Sequence, residues 1–260
     1  MHFELVSYSA TAPGAAGAAA AAVVGDSLTV KNSLGPAKIL AWWADNQAAG
    51  FHQLIFPSGH DTTRGLRSRV RASEVDQLLP TGLGITVQPQ EALALTISGS
   101  AVAGDVETGS MLIAYNNLPG VTSRKIGWQD LEKRVEKFTT IDMPITGVAA
   151  GYTGSATIAS SVDLLNANRD YAVLGCGISL ETCTVTLVGP DTGNVRIGMP
   201  GNDTDNDLPL NFFPLLSRAF DMDLIPVINS GNKASTFISI LQDENNIVPS
   251  VSLYLALLKS

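Results

Sequence analysis

Lys38-Ile39-Leu40-Ala41-Trp42-Trp43 is a short run of apolar and aromatic residues, and Asp170-Tyr171-Ala172-Val173-Leu174-Gly175 reads the same way 132 residues later. Each run is followed by another of the same kind. Phe51–Phe56 is ended by Pro57-Ser58-Gly59, and Cys183–Val188 is ended by Gly189-Pro190-Asp191. Short runs bounded by Gly, Pro, Asn and Asp are the pattern of an all-β sandwich. Further runs complete each half: Gly84–Val87, Ala92–Ser98 and Met111–Tyr115 in the first, Asp223–Val227, Ser235–Ile240 and Ser250–Leu257 in the second.

The two halves therefore carry one plan twice. Arg64 in Thr63-Arg64-Gly65-Leu66 matches Arg196 in Val195-Arg196-Ile197-Gly198, 132 residues on, and Ile113 matches Leu253, 140 residues on. Between these points each half holds a short helix candidate. In the first it is Ser73–Leu79, stopped by Pro80, with Ser73 and Asp76 spaced like a capping box. In the second it is Phe213–Ala219, with Pro214 in the first turn. The joint between the halves contains Trp128, Leu131, Val135 and Phe138 at spacings of three, four and three, which predicts an amphipathic helix. That helix either docks onto a neighbour or covers the end of its own sandwich. The expected organisation is an N-terminal flexible arm over 1–24, a first sandwich over 25–120, a linker over 121–165 and a second sandwich over 166–260.

Composition narrows the function. The 260 residues are 45% hydrophobic but only 15% charged, against about 25% in ordinary soluble domains. A chain with so few charges has little surface reserved for water, which points to burial against partners. The net charge of −8 argues against gripping a phosphate backbone. The only basic cluster is Arg64, Arg67, Arg69 and Arg71, whose near-alternate spacing sets them along one face of an extended segment. Such a row is either an anion or partner site, or a set of pairing groups for the excess carboxylates.

Chemistry-bearing motifs are sparse. No Gly-x-Ser-x-Gly elbow and no strand–glycine loop–helix phosphate cradle occurs. The histidines are His2, His52 and His60, and His60-Asp61 follows a turn. Cys176 and Cys183 are too few for a disulfide framework and read as buried small hydrophobes of a reducing compartment. Asp203, Asp205 and Asp207 alternate as hard calcium ligands would. An EF-hand needs Gly at the sixth position and Glu at the twelfth, and this chain has Leu208 and Pro214 there. A looser calcium loop and a solvated acidic loop both remain open. Ala10–Val24 is apolar but has no preceding Lys or Arg, so a surface-adhering arm is expected there rather than a leader. Trp42-Trp43 sets one indole on each face of a strand, giving either a strand buried on both sides or an exposed contact platform.

Val188-Gly189-Pro190-Asp191-Thr192-Gly193-Asn194-Val195-Arg196 and Leu224-Ile225-Pro226-Val227-Ile228-Asn229-Ser230-Gly231-Asn232, with counterparts near Arg64 and Val87, set the chain beside a known architecture. It resembles the tandem (double) jelly-roll major capsid proteins of icosahedral viruses and phages. The resemblance implies two jelly-roll β-sandwiches, trimers of pseudo-hexameric outline that tile a shell, and contacts with other virion proteins. It also implies assembly in the host cytoplasm, with a possible underlying membrane and no cofactor or catalytic residue. Trp128, Leu131, Val135, Phe138 and the four arginines are the candidate interface residues. The alternatives are a phage decoration or fibre-base protein, a carbohydrate-binding tandem β-sandwich using Trp42 or Trp43, and an enzyme using His52, His60 and Asp61.

Overall fold

The computed structural model describes residues 1–259 except 13, 15–18, 22, 25–28, 60–64, 117, 119, 146–150, 162–164, 181, 202–207 and 243–247. The first half contributes β1 (His2–Thr11), β2 (Ala19–Ala21), β3 (Val23–Val24), β4 (Ala37–Asp45), β5 (Gly50–Ile55), β6 (Leu66–Val70), β7 (Asp76–Gln77), β8 (Ile85–Val87), β9 (Ala94–Ser98) and β10 (Val106–Tyr115). These form one sheet in the order β3-β1-β10-β4-β7, with β8 also on β4, and a second in the order β2-β9-β5-β6.

The second half begins with β11 (Lys125–Ile126), α1 (Trp128–Arg134), β12 (Val135–Pro144) and β13 (Gly151–Thr157). It continues through β14 (Asp170–Ile178), β15 (Thr184–Val188), β16 (Ile197–Pro200), α2 (Phe212–Phe220), β17 (Ile225–Asn229), β18 (Phe237–Gln242) and β19 (Ser250–Leu258). Its sheets run β11-β17-β14-β19-β12 and β13-β18-β15-β16. Strand for strand, β1-β10-β4-β8 matches β12-β19-β14-β17, and β2-β9-β5-β6 matches β13-β18-β15-β16. Each half is an eight-stranded jelly roll.

The halves also share a defect. The β4–β10 ladder skips Leu40 between Ile39↔Ile113 and Ala41↔Leu112. The β14–β19 ladder skips Leu174 between Val173↔Leu255 and Gly175↔Tyr254. A bulge fixes register better than apolar matching does. It equates Ile113 with Leu255, so the offset on the last strand is 142 and not the 140 of the sequence match. It also equates Phe3, opposite Ala114, with Phe138, opposite Ala256.

Three further expectations are corrected. Of the segment expected as an arm, residues 2–11 are not one: His2–Thr11 pairs along its whole length with Val106–Tyr115 and is a strand of the first sandwich. Ser73–Leu79 is not a helix. Ser73 sits at φ +54, and Asp76–Gln77 pairs with Trp43 and Ala44. The Asp76 carboxylate accepts from the Arg71 backbone N–H (2.6 Å) and Arg71 Nε (2.9 Å), and a seven-residue helix has little intrinsic stability to compete with that. Finally, α1 stops at Arg134, and Val135 to Phe138 belong to β12. Pairing with β19 overrides helical spacing there, so the four residues do not share one helix face.

The second helix forms where expected. Ser217 explains its end: its carbonyl accepts the Met222 N–H (3.1 Å), and its Oγ donates to the Met222 carbonyl (2.6 Å). Ser217 Oγ also accepts the Trp128 N–H at 2.9 Å, which ties the start of α1 to the end of α2.

Candidate interaction surfaces

Alternation along β1, β4 and β10 divides their side chains between two cores. Val6, Tyr8, Ile39, Trp42, Met111 and Ile113 fill the first sandwich with Leu54, Leu95 and Ile97 from its opposite sheet. Phe3, Leu5, Trp43, Leu112 and Ala114 point the other way and join one apolar cluster with the core residues of the second sandwich. Trp42-Trp43 is therefore a strand buried on both sides, with no exposed indole. A platform of the sugar-binding kind does not exist at this position.

The joint between the sandwiches is head to tail: the outer face of β1, β10 and β4 lies on the outer face of β15 and β16. Trp43 Nε1 donates to Thr184 Oγ1 (2.9 Å) and to the Cys183 carbonyl (3.0 Å). Thr184 Oγ1 is 2.8 Å from Ser110 Oγ, which is 2.7 Å from Ser7 Oγ. The Leu5 N–H donates to the Arg196 carbonyl at 2.8 Å. Phe213 and Phe212 of α2 meet Phe3 and Trp43, with ring centroids 6.1 and 5.6 Å apart. An apolar groove lined by Trp43, Val75, Phe212, Leu215 and Leu216 runs along this joint.

Gly198 of β16 lies under the Leu5 side chain of β1. A Cβ there would lie 2.7 Å from Leu5 Cδ2 and 2.9 Å from the Val185 carbonyl oxygen. Gly198→Ala is expected to destabilise the protein by about 1–3 kcal/mol through overpacking. Urea unfolding with an unchanged m-value would measure it, and a midpoint equal to that of the parent would refute it.

A second cluster holds the joint's approach. Arg124 forks onto Asp170 (2.6 and 3.0 Å) and reaches Asp191 at 3.4 Å. Burial would raise the Asp170 carboxyl, but the Arg124 fork and the Asn229 amide outweigh it and hold it below its ordinary value. Asp191 is buried, and its Oδ2 accepts the Asn229 N–H and Asn232 Nδ2, both at 2.9 Å. The phrases 188–196 and 224–232 are thus brought together by one carboxylate. Asp191→Ala is expected to cost about 1–3 kcal/mol, because it strands the half-buried donors of Asn229 and Asn232. Thermal unfolding of the variant checks this, and the more conservative Asp191→Asn should recover only part of the loss.

The remaining candidates separate. Arg67 and Arg69 are exposed on β6, the edge of its sheet, and the Arg67 guanidinium lies 3.4 Å from the Phe51 ring centroid. Arg71 pairs with Glu74 and Asp76. Hydrogen bonding to Asp76 raises its pKa further. Arg64 lies outside the described residues, as do His60-Asp61 and Asp203, Asp205 and Asp207. Leu131 is buried and Trp128 half-buried under Arg218 (5.1 Å to the ring centroid). Val135 is half-buried, whereas Phe138 is 69% exposed. Both cysteines are buried thiols that form no disulfide. Burial pushes the Cys176 thiol up.

His52 is sealed in the first core. Its Nδ1 is 2.9 Å from Tyr8 Oη, which also accepts from Trp42 Nε1 (2.6 Å), and its Nε2 is 2.7 Å from Asn46 Oδ1. Burial lowers its pKa to about 3, so the ring is neutral at physiological pH and out of reach of a substrate. Among the described residues no group of three or more His, Cys, Asp or Glu could hold a metal ion, and no helix is long and apolar enough to cross a membrane. Sequence reasoning missed Arg124, Thr184 and Ser217, because none stands in a local motif.

No family model matches the sequence, and no curated protein matches it. Three solved structures show distant likeness. The PBSX exported protein XepA is 12% identical, with 98% of this chain and 86% of that one covered at a TM-score of 0.30. A cupin 2 conserved barrel domain protein from Leptotrichia buccalis is 10% identical, with 99% and 84% covered at 0.22. The major capsid protein P2 from bacteriophage PM2 is 8% identical, with 98% and 97% covered at 0.22. Likeness at this level carries no functional information.

Proposed function

We propose that this protein is a structural component of a phage or viral particle, a major capsid protein whose trimers, six jelly rolls each, tile a shell. The observation that supports it is the head-to-tail joint. Two sandwiches of the same topology meet through different faces, so the same contact can be repeated from copy to copy. The low charge of the chain suits a protein that hides its flanks against neighbours. The role is one of assembly and not catalysis. Its partners are further copies and other virion proteins, its place is the virion after assembly in the host cytoplasm, and the net charge of −8 leaves genome contact to other components.

Size-exclusion chromatography with light scattering, followed by negative-stain imaging, tests the proposal. Particles of three times the 27.2 kDa chain mass, or closed shells, are expected. A monodisperse monomer at high concentration would overturn it and favour a decoration or binding module.

A further inference from the structure

The fold gathers a basic cluster that the sequence disperses. Arg124, Arg134, Arg169 and Lys259 share no local motif, yet all four line one cavity of about 290 Å³, together with Asp170 and Asn229. The cavity lies at the corner of the second sandwich where α1 ends, β14 begins and β19 ends. A chain of net charge −8 with 16 Lys and Arg places four of them here. Backbone bonds hold the corner together. The Lys259 N–H donates to the Arg134 carbonyl at 2.7 Å, and Arg169 Nη2 donates to the Leu258 carbonyl at 3.0 Å. The first of these also satisfies a carbonyl at the end of α1 that would otherwise repel an anion.

Nearby carboxylates do not use the cluster up. Arg124 is taken by Asp170 and Asp191. Arg169 meets Glu136 through Nη2 alone (2.5 Å), which leaves Nε and Nη1 for a ligand. Among the described residues Arg134 and Lys259 form no ion pair with a carboxylate. Like charges that share a cavity repel one another, and an anion bound between them turns that repulsion into attraction.

We propose that this cavity is a binding site for a phosphate group, gripped by Arg134, Arg169 and Lys259, with Arg124 adding its field. Guanidinium forks match pairs of phosphate oxygens, and the lysine supplies a point charge. The three donors come from three separate segments, which suits a tetrahedral anion better than a flat carboxylate. The cavity is open beside Asn168 and Lys259, both exposed, so either a soluble phosphate or a lipid headgroup can enter. The site stands independently of the shell reading above.

Calorimetric titration of the full chain at fixed ionic strength in chloride tests it. Inorganic phosphate is the first probe, and vesicles of phosphatidylcholine with and without phosphatidic acid are the second. Arg134→Gln and Lys259→Gln are each expected to weaken binding about tenfold, and Arg134→Lys should recover part of the affinity. Arg67→Gln removes an exposed cation on β6 and should leave binding unchanged. Neither Arg134 nor Lys259 is buried, so circular dichroism and the phosphate-free melting temperature of their variants should match the parent. Binding of inorganic phosphate that the two glutamine variants weaken supports a soluble ligand. Binding of phosphatidic acid vesicles alone, weakened by the same variants, supports a lipid headgroup. Binding of neither probe, equal binding by parent and both variants, or an equal loss in Arg67→Gln overturns the site.

Discussion

Trp43→Ala is expected to remove about 3–5 kcal/mol of stability, the usual cost of deleting a buried indole, and to uncouple the two sandwiches. The ring fills the joint against Phe212, and its N–H is shared by Thr184 Oγ1 and the Cys183 carbonyl. The parent should unfold in a single calorimetric transition, because the two cores meet at Trp43, Leu5 and Phe3. The variant should unfold in two. Trp43→Phe supplies the comparison: the edge-to-face contact survives, the N–H is lost, and Thr184 keeps Ser110, so the expected cost is about 1 kcal/mol. A single transition at the parent's midpoint in Trp43→Ala would show that the joint does not couple the halves.

Acid should unfold the first sandwich through His52. The sign follows from where the proton binds. The folded ring stays neutral down to about pH 3, whereas the unfolded ring protonates near 6.5. The unfolded state therefore binds more protons between these values, and stability falls as pH drops through that window. The slope reaches about 1.4 kcal/mol per pH unit and the full loss approaches 4–5 kcal/mol by pH 3. His52→Gln keeps hydrogen-bonding groups near Tyr8 and Asn46 but does not titrate. Its stability should be lower at pH 7 and flatter from pH 6.5 to 4.5, above the range where most carboxylates protonate. Parallel profiles for the two proteins would sink the account.

The four arginines show the limit of local reading. Their spacing correctly placed Arg67 and Arg69 on one face of a strand, yet nothing in that spacing distinguishes Arg71, paired to Asp76, from Arg67, stacked on Phe51. The helix expected from Trp128 to Phe138 fails for a similar reason. Its apolar spacing suits a helix, but Val135–Pro144 has a partner in β19 across more than a hundred residues of chain. Asp191 was visible as part of a turn, while its partners Arg124, Asn229 and Asn232 are scattered along the sequence.

By itself the sequence determined the all-β class, most strand positions, the second-half helix and the duplication, because these follow from side-chain period and from Gly and Pro punctuation. It also set the acidic, weakly charged surface. Only the assembled fold decided that His2–Thr11 is a strand of the first sandwich and that Ser73–Leu79 is not a helix. The fold likewise decided that Trp43 closes a joint while Phe138 stays open. Those outcomes depend on which distant strand supplies the hydrogen bonds and which face meets another core. Phe3 and Phe138 carry the same side chain at the same place in the repeat, and they differ only in what lies across from them.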